Sequence, residues 1–79
     1  MRRYVMHLVH RKADDKWHLE HLGRSIFAFD TRDEAMDAGQ TRGHRLHDVG
    51  TTAQLVIHRQ DGSIETEFTY GEDPQEIAG

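Results

Sequence analysis

The chain has 79 residues, among them ten Lys and Arg, fourteen Asp and Glu, seven His and no Cys, and its formal net charge is −4. Without cysteine it can form neither a disulfide nor a thiolate metal site, and without net positive charge it lacks the usual electrostatic mark of nucleic-acid-binding proteins. A chain this short buries only about 60–65% of its unfolded surface, so we expect one domain over residues 1–79 with a thin core.

The charge is distributed unevenly along the chain. Residues 1–47 carry nine Lys and Arg against seven Asp and Glu, whereas residues 48–79 carry one against seven. The apolar run near the N-terminus is interrupted by His7 and His10, so it matches neither a signal peptide nor a membrane span. Together with the lack of cysteine, these features favour a cytoplasmic protein that does not contact a membrane.

Three short strands are predicted in the N-terminal part of the chain. Residues 3–11 alternate weakly, residues 17–22 alternate with Trp17 and Leu19 on one face, and residues 26–29 form a short apolar run. The connections between them are too short for a parallel crossover, which favours antiparallel pairing.

A helix is predicted from Arg32 to residue 46 or 47. Thr31 and Glu34 form a capping box, in which each side chain bonds the backbone N–H of the other residue. Gly50 marks the end of the helix.

One face of this helix carries small residues at spacings of four, Ala35, Gly39 and Gly43, followed by Leu46. Each glycine costs roughly 1 kcal/mol relative to alanine in a helix interior. We interpret the stripe as a surface that packs closely on the sheet, and the alternative is close approach by a partner.

The C-terminal part predicts a β-hairpin. Residues 53–59 form one strand, residues 63–70 alternate strictly, and Asp61-Gly62 between them is typical of a two-residue type I′ turn. Residues 72–79 are expected to be frayed.

The turn sets a register for this hairpin. Leu55 is expected to face Phe68 on the core side, and His58 to face Glu65 on the other side. Taken in order, the elements predict an α+β fold (β-β-β-α-β-β), a mainly antiparallel sheet of about five short strands with one helix packed on one face.

Several landmarks follow one another in a fixed order: Trp17-x-Leu19, Phe29-x-Thr31-x-x-Glu34-Ala35, Leu55-Val-Ile-His58, Asp61-Gly62-x-Ile64 and Tyr70-Gly71-x-Asp73-Pro74. Over residues 5–74, this set resembles the small bacterial family called domain of unknown function 2188. The chain departs from that family at Lys16, where members usually have glycine before the tryptophan, and in the His- and Gly-rich end of its helix. The resemblance implies a compact α+β fold of strands and one helix, and it implies no catalytic residues.

The histidines include three pairs with a spacing of three: His7 and His10, His18 and His21, and His44 and His47. Residues three apart point to opposite faces of a strand but share one face of a helix, so only the helical pair could chelate a metal. Zinc takes at least three protein ligands, and no third ligand accompanies that pair. We therefore interpret the histidines as exposed polar residues and expect neither a metal nor a cofactor.

No catalytic constellation is apparent in the sequence. The chain has no cysteine and no phosphate-binding loop motif, and the serines lie next to turns. The carboxylates at the start of the helix have a sufficient role in helix capping. The sequence therefore predicts that the protein is not an enzyme and has no catalytic residues.

The leading hypothesis for function is a non-catalytic interaction module that binds a protein partner or itself. If the first strand is an edge strand, its apolar faces favour a homodimer. The interface would then include the residues Tyr4, Val5, Met6, His7, Leu8 and Val9. Protonation of His7 and His10 below about pH 6 would weaken such an interface. If that strand is central instead, its apolar residues are covered within the monomer.

The alternative hypothesis is a nucleic-acid-binding accessory protein, in which bases stack on aromatic rings beside cations. The contacts would come from one tryptophan and the basic residues around it: Arg2, Arg3, Arg11, Lys12, Trp17 and Arg24. A histidine-dependent metal or pH sensor is a third option.

Overall fold

The computed structural model describes residues 3–71, which form five strands and one helix. The elements are β1 (Tyr4–Arg11), β2 (Lys16–His21), β3 (Arg24–Phe29), α1 (Arg32–Asp48), β4 (Ala53–His58) and β5 (Ile64–Tyr70). The strands form one sheet in the order β3-β2-β1-β4-β5, and α1 packs on one face of it. Within this part of the chain, no helix combines the length and apolar character needed to cross a membrane.

The sheet is mixed, with one parallel pair. β1 and β2, β2 and β3, and β4 and β5 pair antiparallel, whereas β1 and β4 pair parallel. The helix supplies the long connection that a parallel neighbour needs, since it carries the chain from β3 back to the position beside β1. The predicted α+β fold, the element order and the mainly antiparallel pairing are confirmed.

The core lies between the sheet and the helix. Its largest fully buried side chains are Met6, Leu8, Leu19, Leu55 and Ile57. They come from three adjacent strands and stand in register, because Leu8 pairs with both Leu19 and Ile57, and Met6 pairs with Leu55. Every second residue of these strands therefore points toward α1.

The predicted capping box begins the helix. The backbone N–H of Glu34 donates to Thr31 Oγ1, and the backbone N–H of Thr31 donates to Glu34 Oε1, each at 3.2 Å. At the other end, Gly50 takes a φ of +87° and donates its N–H to the carbonyl of His47. Both ends follow from local sequence signals, so the helix bounds agree closely with the prediction.

The stripe of small residues faces the sheet. Ala35, Gly39 and Gly43 are buried. A Cβ atom at Gly39 would lie 3.0 Å from a methyl of Leu55, and one at Gly43 would lie 2.5 Å from the ring of Tyr70. The interpretation of the stripe as a close-packing surface is confirmed.

The β4–β5 hairpin has a three-residue loop, so the predicted type I′ turn is wrong. Arg59 N–H donates to the carbonyl of Ser63 at 2.7 Å, and Gly62 N–H donates to the carbonyl of Arg59 at 2.9 Å. Gly62 takes a φ of +95°, but Asp61 does not share the positive φ that a type I′ turn requires at both positions.

The longer loop changes the register beside it. A shift between Ile57 and His58 pairs His58 with Ile64, so the predicted pairing of His58 with Glu65 is wrong. Farther from the loop, Leu55 pairs with Phe68 as predicted. Phe68 remains 36% exposed and therefore lies at the margin of the core.

The two-residue turn with positive φ at both positions lies in another hairpin. Leu22 and Gly23 connect β2 to β3 with φ values of +53° and +78°, next to the paired residues His21 and Arg24. A leucine in this conformation is strained, because its Cβ approaches the following carbonyl.

β1 is the central strand, so the expectation that it is an edge strand is wrong. It pairs with β2 on one side and with β4 on the other. The physical reason is the return of the chain through α1, which places β4 against the free side of β1. The expected frayed tail, residues 72–79, lies outside the described residues.

Candidate interaction surface

The residues proposed for a homodimer interface separate onto two faces of β1. Met6 and Leu8 are fully buried in the core. Tyr4 lies on the same face, where its ring stacks on His21 at a centroid distance of 3.7 Å. The remaining three residues, Val5, His7 and Val9, alternate with them and face the side of the sheet opposite α1. Edge pairing through β1 is not available, because both of its sides carry a strand.

A pair of histidines lies on this opposite face. His7 Nδ1 is 3.0 Å from His58 Nε2, and His58 Nδ1 is 3.0 Å from the carbonyl oxygen of Gly62. Since that oxygen can only accept, His58 carries its proton on Nδ1, and its Nε2 accepts from His7. Burial lowers the pKa of His7 and has the largest effect, and the neighbouring imidazole of His58 lowers it further. The carboxylates of Glu20 and Glu67 raise it by a smaller amount.

In each strand pair, His7 with His10 in β1 and His18 with His21 in β2, the two histidines point to opposite faces of the sheet, as predicted. His10 Nε2 lies 2.8 Å from Asp15 Oδ1, and on the other face His18 Nε2 lies 2.8 Å from Asp14 Oδ2. His18 is only 5% exposed and the side chain of His10 only 6%, so the interpretation of these two histidines as exposed residues is wrong. The neighbouring carboxylate and the Ser25 hydroxyl, 2.7 Å from Nδ1, satisfy its ring nitrogens. The contacts of His10 with Asp15 and of His18 with Asp14 stabilise the β1–β2 turn.

The turn carboxylate of Asp14 has a lowered pKa. Loss of hydration alone would raise it, but the hydrogen bonds from His18 and from the backbone N–H of Lys16 stabilise the ionised form more. This carboxylate has a structural role in the turn.

The helical pair His44 and His47 lies at the C-terminal end of α1. The ring of His44 meets the ring of Tyr70 edge to face at 4.9 Å. Among residues 3–71, no group of three or more His, Cys, Asp and Glu side chains is placed to hold a metal ion.

The basic residues proposed for nucleic-acid contacts do not form one patch. Arg3 and Arg11 lie at opposite ends of β1. Arg11 donates to Glu20 at 2.6 and 3.0 Å, and Trp17 packs against the core. Lys12 and Arg24 are exposed, and Arg2 lies outside the described residues.

The two edges of the sheet differ in their protection. β5 carries Glu65 and Glu67, and Glu65 forms an ion pair with Arg32 at 2.7 Å. β3, with the sequence RSIFAF, has a charge only at its first residue, and its Phe27 is 50% exposed. Natural edge strands are usually blunted by charge, proline or bulges. A register shift interrupts the pairing at both edges, β2 with β3 and β4 with β5, so the charges distinguish the edges and β3 is the less protected one.

A groove of about 420 Å³ lies beside this edge, between β3 and α1. Its floor is apolar and its helical wall is polar, and the lining comprises Phe27, Phe29, Asp37, Ala38, Thr41, Arg42 and Arg45.

Arg42 is held in place beside the groove. Its Cζ lies 5.5 Å from the centre of the Tyr4 ring and 5.8 Å from that of Phe27, and Nη2 donates to the Tyr4 hydroxyl at 3.2 Å. Neither Arg42 nor Arg45 forms an ion pair with another residue of the described chain. The arrangement offers oriented guanidinium groups next to exposed apolar surface.

Sequence reasoning missed this groove. No sequence motif marks Phe27, Arg42 or Arg45 as residues of a site. The spacing of Asp37, Thr41 and Arg45 by four is a signal of a second exposed helix face. That signal does not indicate which strand lies opposite, because this depends on the strand order.

The fold thus defines a small α+β domain in which one helix covers a mixed five-stranded sheet. Residues 6–70 match the model of the family described as "Uncharacterized protein conserved in bacteria", domain of unknown function 2188. The chain belongs to this family, as its landmarks predicted. Neither a curated protein nor a solved structure matches it.

Proposed function

We propose that the protein is a non-catalytic interaction module that binds an extended segment of another polypeptide by strand addition to β3. The observation that carries this proposal is the contrast between the two edges of the sheet. An unpaired strand edge presents a row of N–H and C=O groups, and an added strand satisfies them. Glutamates protect β5, whereas the interior of β3 has no charge.

Exposed apolar side chains occur at both edges, since Ile64 and Phe68 in β5 are 53% and 36% exposed, but β3 also borders a groove. Leu22 in the β2–β3 turn is 85% exposed, and Phe27 in β3 is 50% exposed. Phe27 also lines the groove against α1. A partner strand on β3 would cover Phe27, which gains more apolar burial for a domain with a thin core.

A matched pair of edge variants tests this function. Ala28 and Thr69 are exposed, and their side chains are on the sheet face opposite α1, at the β3 and β5 edges respectively. A lysine on an edge strand hinders strand addition. We therefore expect Ala28→Lys to abolish binding and Thr69→Lys to leave it intact.

The measurement combines capture with hydrogen exchange. Wild type and both variants are used as bait in a lysate of the native host, and the exchange of β3 amides is followed with the captured protein. Support requires capture that is lost only in Ala28→Lys, with slower exchange of β3 amides in the complex. Capture that survives Ala28→Lys would contradict the proposal. A second copy of the chain on β3 would appear as an Ala28→Lys-sensitive dimer in light scattering.

Nucleic-acid binding is a weaker alternative. The basic residues predicted for it are dispersed, and Arg11 is engaged with Glu20. Binding through phosphate contacts would fall steeply as salt rises, so it can be separated from strand addition by its salt dependence.

A further inference from the structure

We infer that the groove between β3 and α1 binds an acidic side chain of the added segment, next to an apolar side chain of the same segment. This inference rests on the strand-addition function proposed above and specifies the chemistry of the partner. It commits to a polypeptide with an exposed aspartate or glutamate as the occupant.

The charge of the groove favours an anion. Arg42 and Arg45 both line it, against the single carboxylate of Asp37. Neither guanidinium has an ion-pair partner within residues 3–71. The Nε of Arg42 is buried and makes no hydrogen bond to the described part of the chain. The planar donor array of a guanidinium matches carboxylates and phosphates, and among unmodified polypeptide side chains only aspartate and glutamate supply such an anion.

The guanidinium of Arg42 is oriented before any ligand arrives. Its contacts with the rings of Tyr4 and Phe27, and its hydrogen bond to the Tyr4 hydroxyl, restrict its side chain. Tyr4 is itself fixed by stacking on His21. Because an ordered side chain loses little entropy on binding, such a guanidinium binds a carboxylate more tightly than a free surface arginine does.

The apolar floor requires a second, neighbouring side chain. Phe27 and Phe29 line the groove from β3, at positions two apart on the strand face that looks toward α1. In an added strand, side chains two residues apart point to the same face. The preferred segment therefore carries an apolar and an acidic residue separated by one residue.

Synthetic peptides test this preference on the full chain. The first probe is an acetylated and amidated peptide of alternating Thr and Val, with Phe and Glu two residues apart on one face. The second probe is identical except that Gln replaces Glu. We expect wild type to bind the Glu peptide at least about tenfold more tightly than the Gln peptide, because the charged pair strengthens the hydrogen bonds.

Variants assign the preference to the groove. Arg42→Gln should make the two peptides bind equally, and Arg45→Gln should reduce the difference. Arg42→Lys, which keeps the charge but loses the planar donor array, should retain only part of it. Lys12→Gln, an equal charge change in the exposed β1–β2 turn, should leave the difference unchanged. Chemical denaturation of each variant shows that it is folded.

The outcomes show whether this inference fails alone or together with the strand-addition proposal. Equal affinity of wild type for both peptides, lost in Ala28→Lys, would overturn the acidic preference and leave strand addition standing. Absence of binding to either peptide would overturn both. Displacement of the Glu peptide by single-stranded oligothymidylate at equal or lower concentration would show that the groove takes nucleic acid, and would also overturn the inference.

Discussion

The ring of Tyr70 packs directly on the backbone of Gly43. A Cβ atom at position 43 would lie 2.5 Å from both Cδ2 and Cε2 of that ring. The contact joins the last turns of α1 to the end of β5, and burial raises the pKa of the Tyr70 hydroxyl. The glycine therefore sets the distance between the helix and the sheet.

Gly43→Ala should lower the free energy of unfolding, although alanine favours a helix by roughly 1 kcal/mol over glycine. Overpacking against an aromatic ring costs about 1–3 kcal/mol, because a ring cannot deform to relieve the clash. Gly39→Ala is the matched control, since its Cβ would meet the movable methyl groups of Leu55 and Leu19 at 3.0 to 3.2 Å. Urea denaturation should rank Gly43→Ala below Gly39→Ala, and the opposite order would contradict the packing argument.

Gly62→Val should destabilise the β4–β5 hairpin through the backbone alone. Gly62 takes a φ of +95°, and no atom lies within 4 Å of a Cβ placed there. Left-handed backbone costs an L-residue about 1–2 kcal/mol, and a β-branched residue suffers most. Gly62→Asn should lose less, because asparagine tolerates positive φ. Equal melting temperatures for wild type and Gly62→Val would show that the loop conformation is different.

Leu22→Asn should stabilise the protein. Leu22 combines a φ of +53° with 85% exposure, so the wild-type residue gains little from burial and bears backbone strain. Asn-Gly is the favoured pair for a two-residue turn with positive φ at both positions. We expect thermal unfolding to shift upward by an amount equivalent to about 0.5–1 kcal/mol. Leu22→Val, with the wrong backbone preference, should shift it downward.

Acidification should weaken the fold through His7. Its pKa is lowered in the folded protein, by burial and by His58, from an ordinary value of 6.5. The unfolded chain therefore binds the proton first as the pH falls. The stability that neutral His7 contributes is complete above about pH 6.5 and is lost as the pH falls through the folded-state pKa.

The measurement is urea denaturation at pH 7.5 and at about pH 5.5, on either side of the ordinary histidine pKa. Wild type should lose more stability between these values than His7→Gln does. His47→Gln, a substitution at an exposed histidine near the end of α1, is the control and should behave like wild type. Identical losses in wild type and His7→Gln would remove His7 as the origin.

Zinc should not bind tightly. The ring of His44 packs against Tyr70, and the described chain holds no group of three or more ligands around His44 and His47. Two imidazoles alone do not complete a zinc site. Isothermal titration should show no stoichiometric sub-micromolar binding. Tight binding that His44→Ala abolishes would contradict this expectation.

Local sequence patterns were sufficient to predict the elements of this fold. Thr31 and Glu34 form the capping box within one helical turn, so no distant residue is needed to specify it. The two-residue turn predicted Leu55 opposite Phe68, and this pairing forms because the register shift between Ile57 and His58 offsets the additional residue of the loop. These features depend on near neighbours in the chain.

Loop geometry was predicted less well for a physical reason. Asp61-Gly62 and Leu22-Gly23 both place a glycine between two strands, and Gly62 takes the predicted positive φ. The number of residues in each loop depends on how the flanking strands twist and pair, which the dipeptide alone does not specify.

Local sequence patterns account for the strands, the helix and its caps, the close-packing stripe and membership in the family. The three-dimensional fold is needed to establish that β1 is central, that β3 is the less protected edge, and that Phe27 and Arg42 meet in one groove. The strand order depends on the parallel pairing of β1 with β4, two segments far apart in the chain. Such pairing forms because of the apolar surface that the whole domain buries, and no local sequence pattern predicts it.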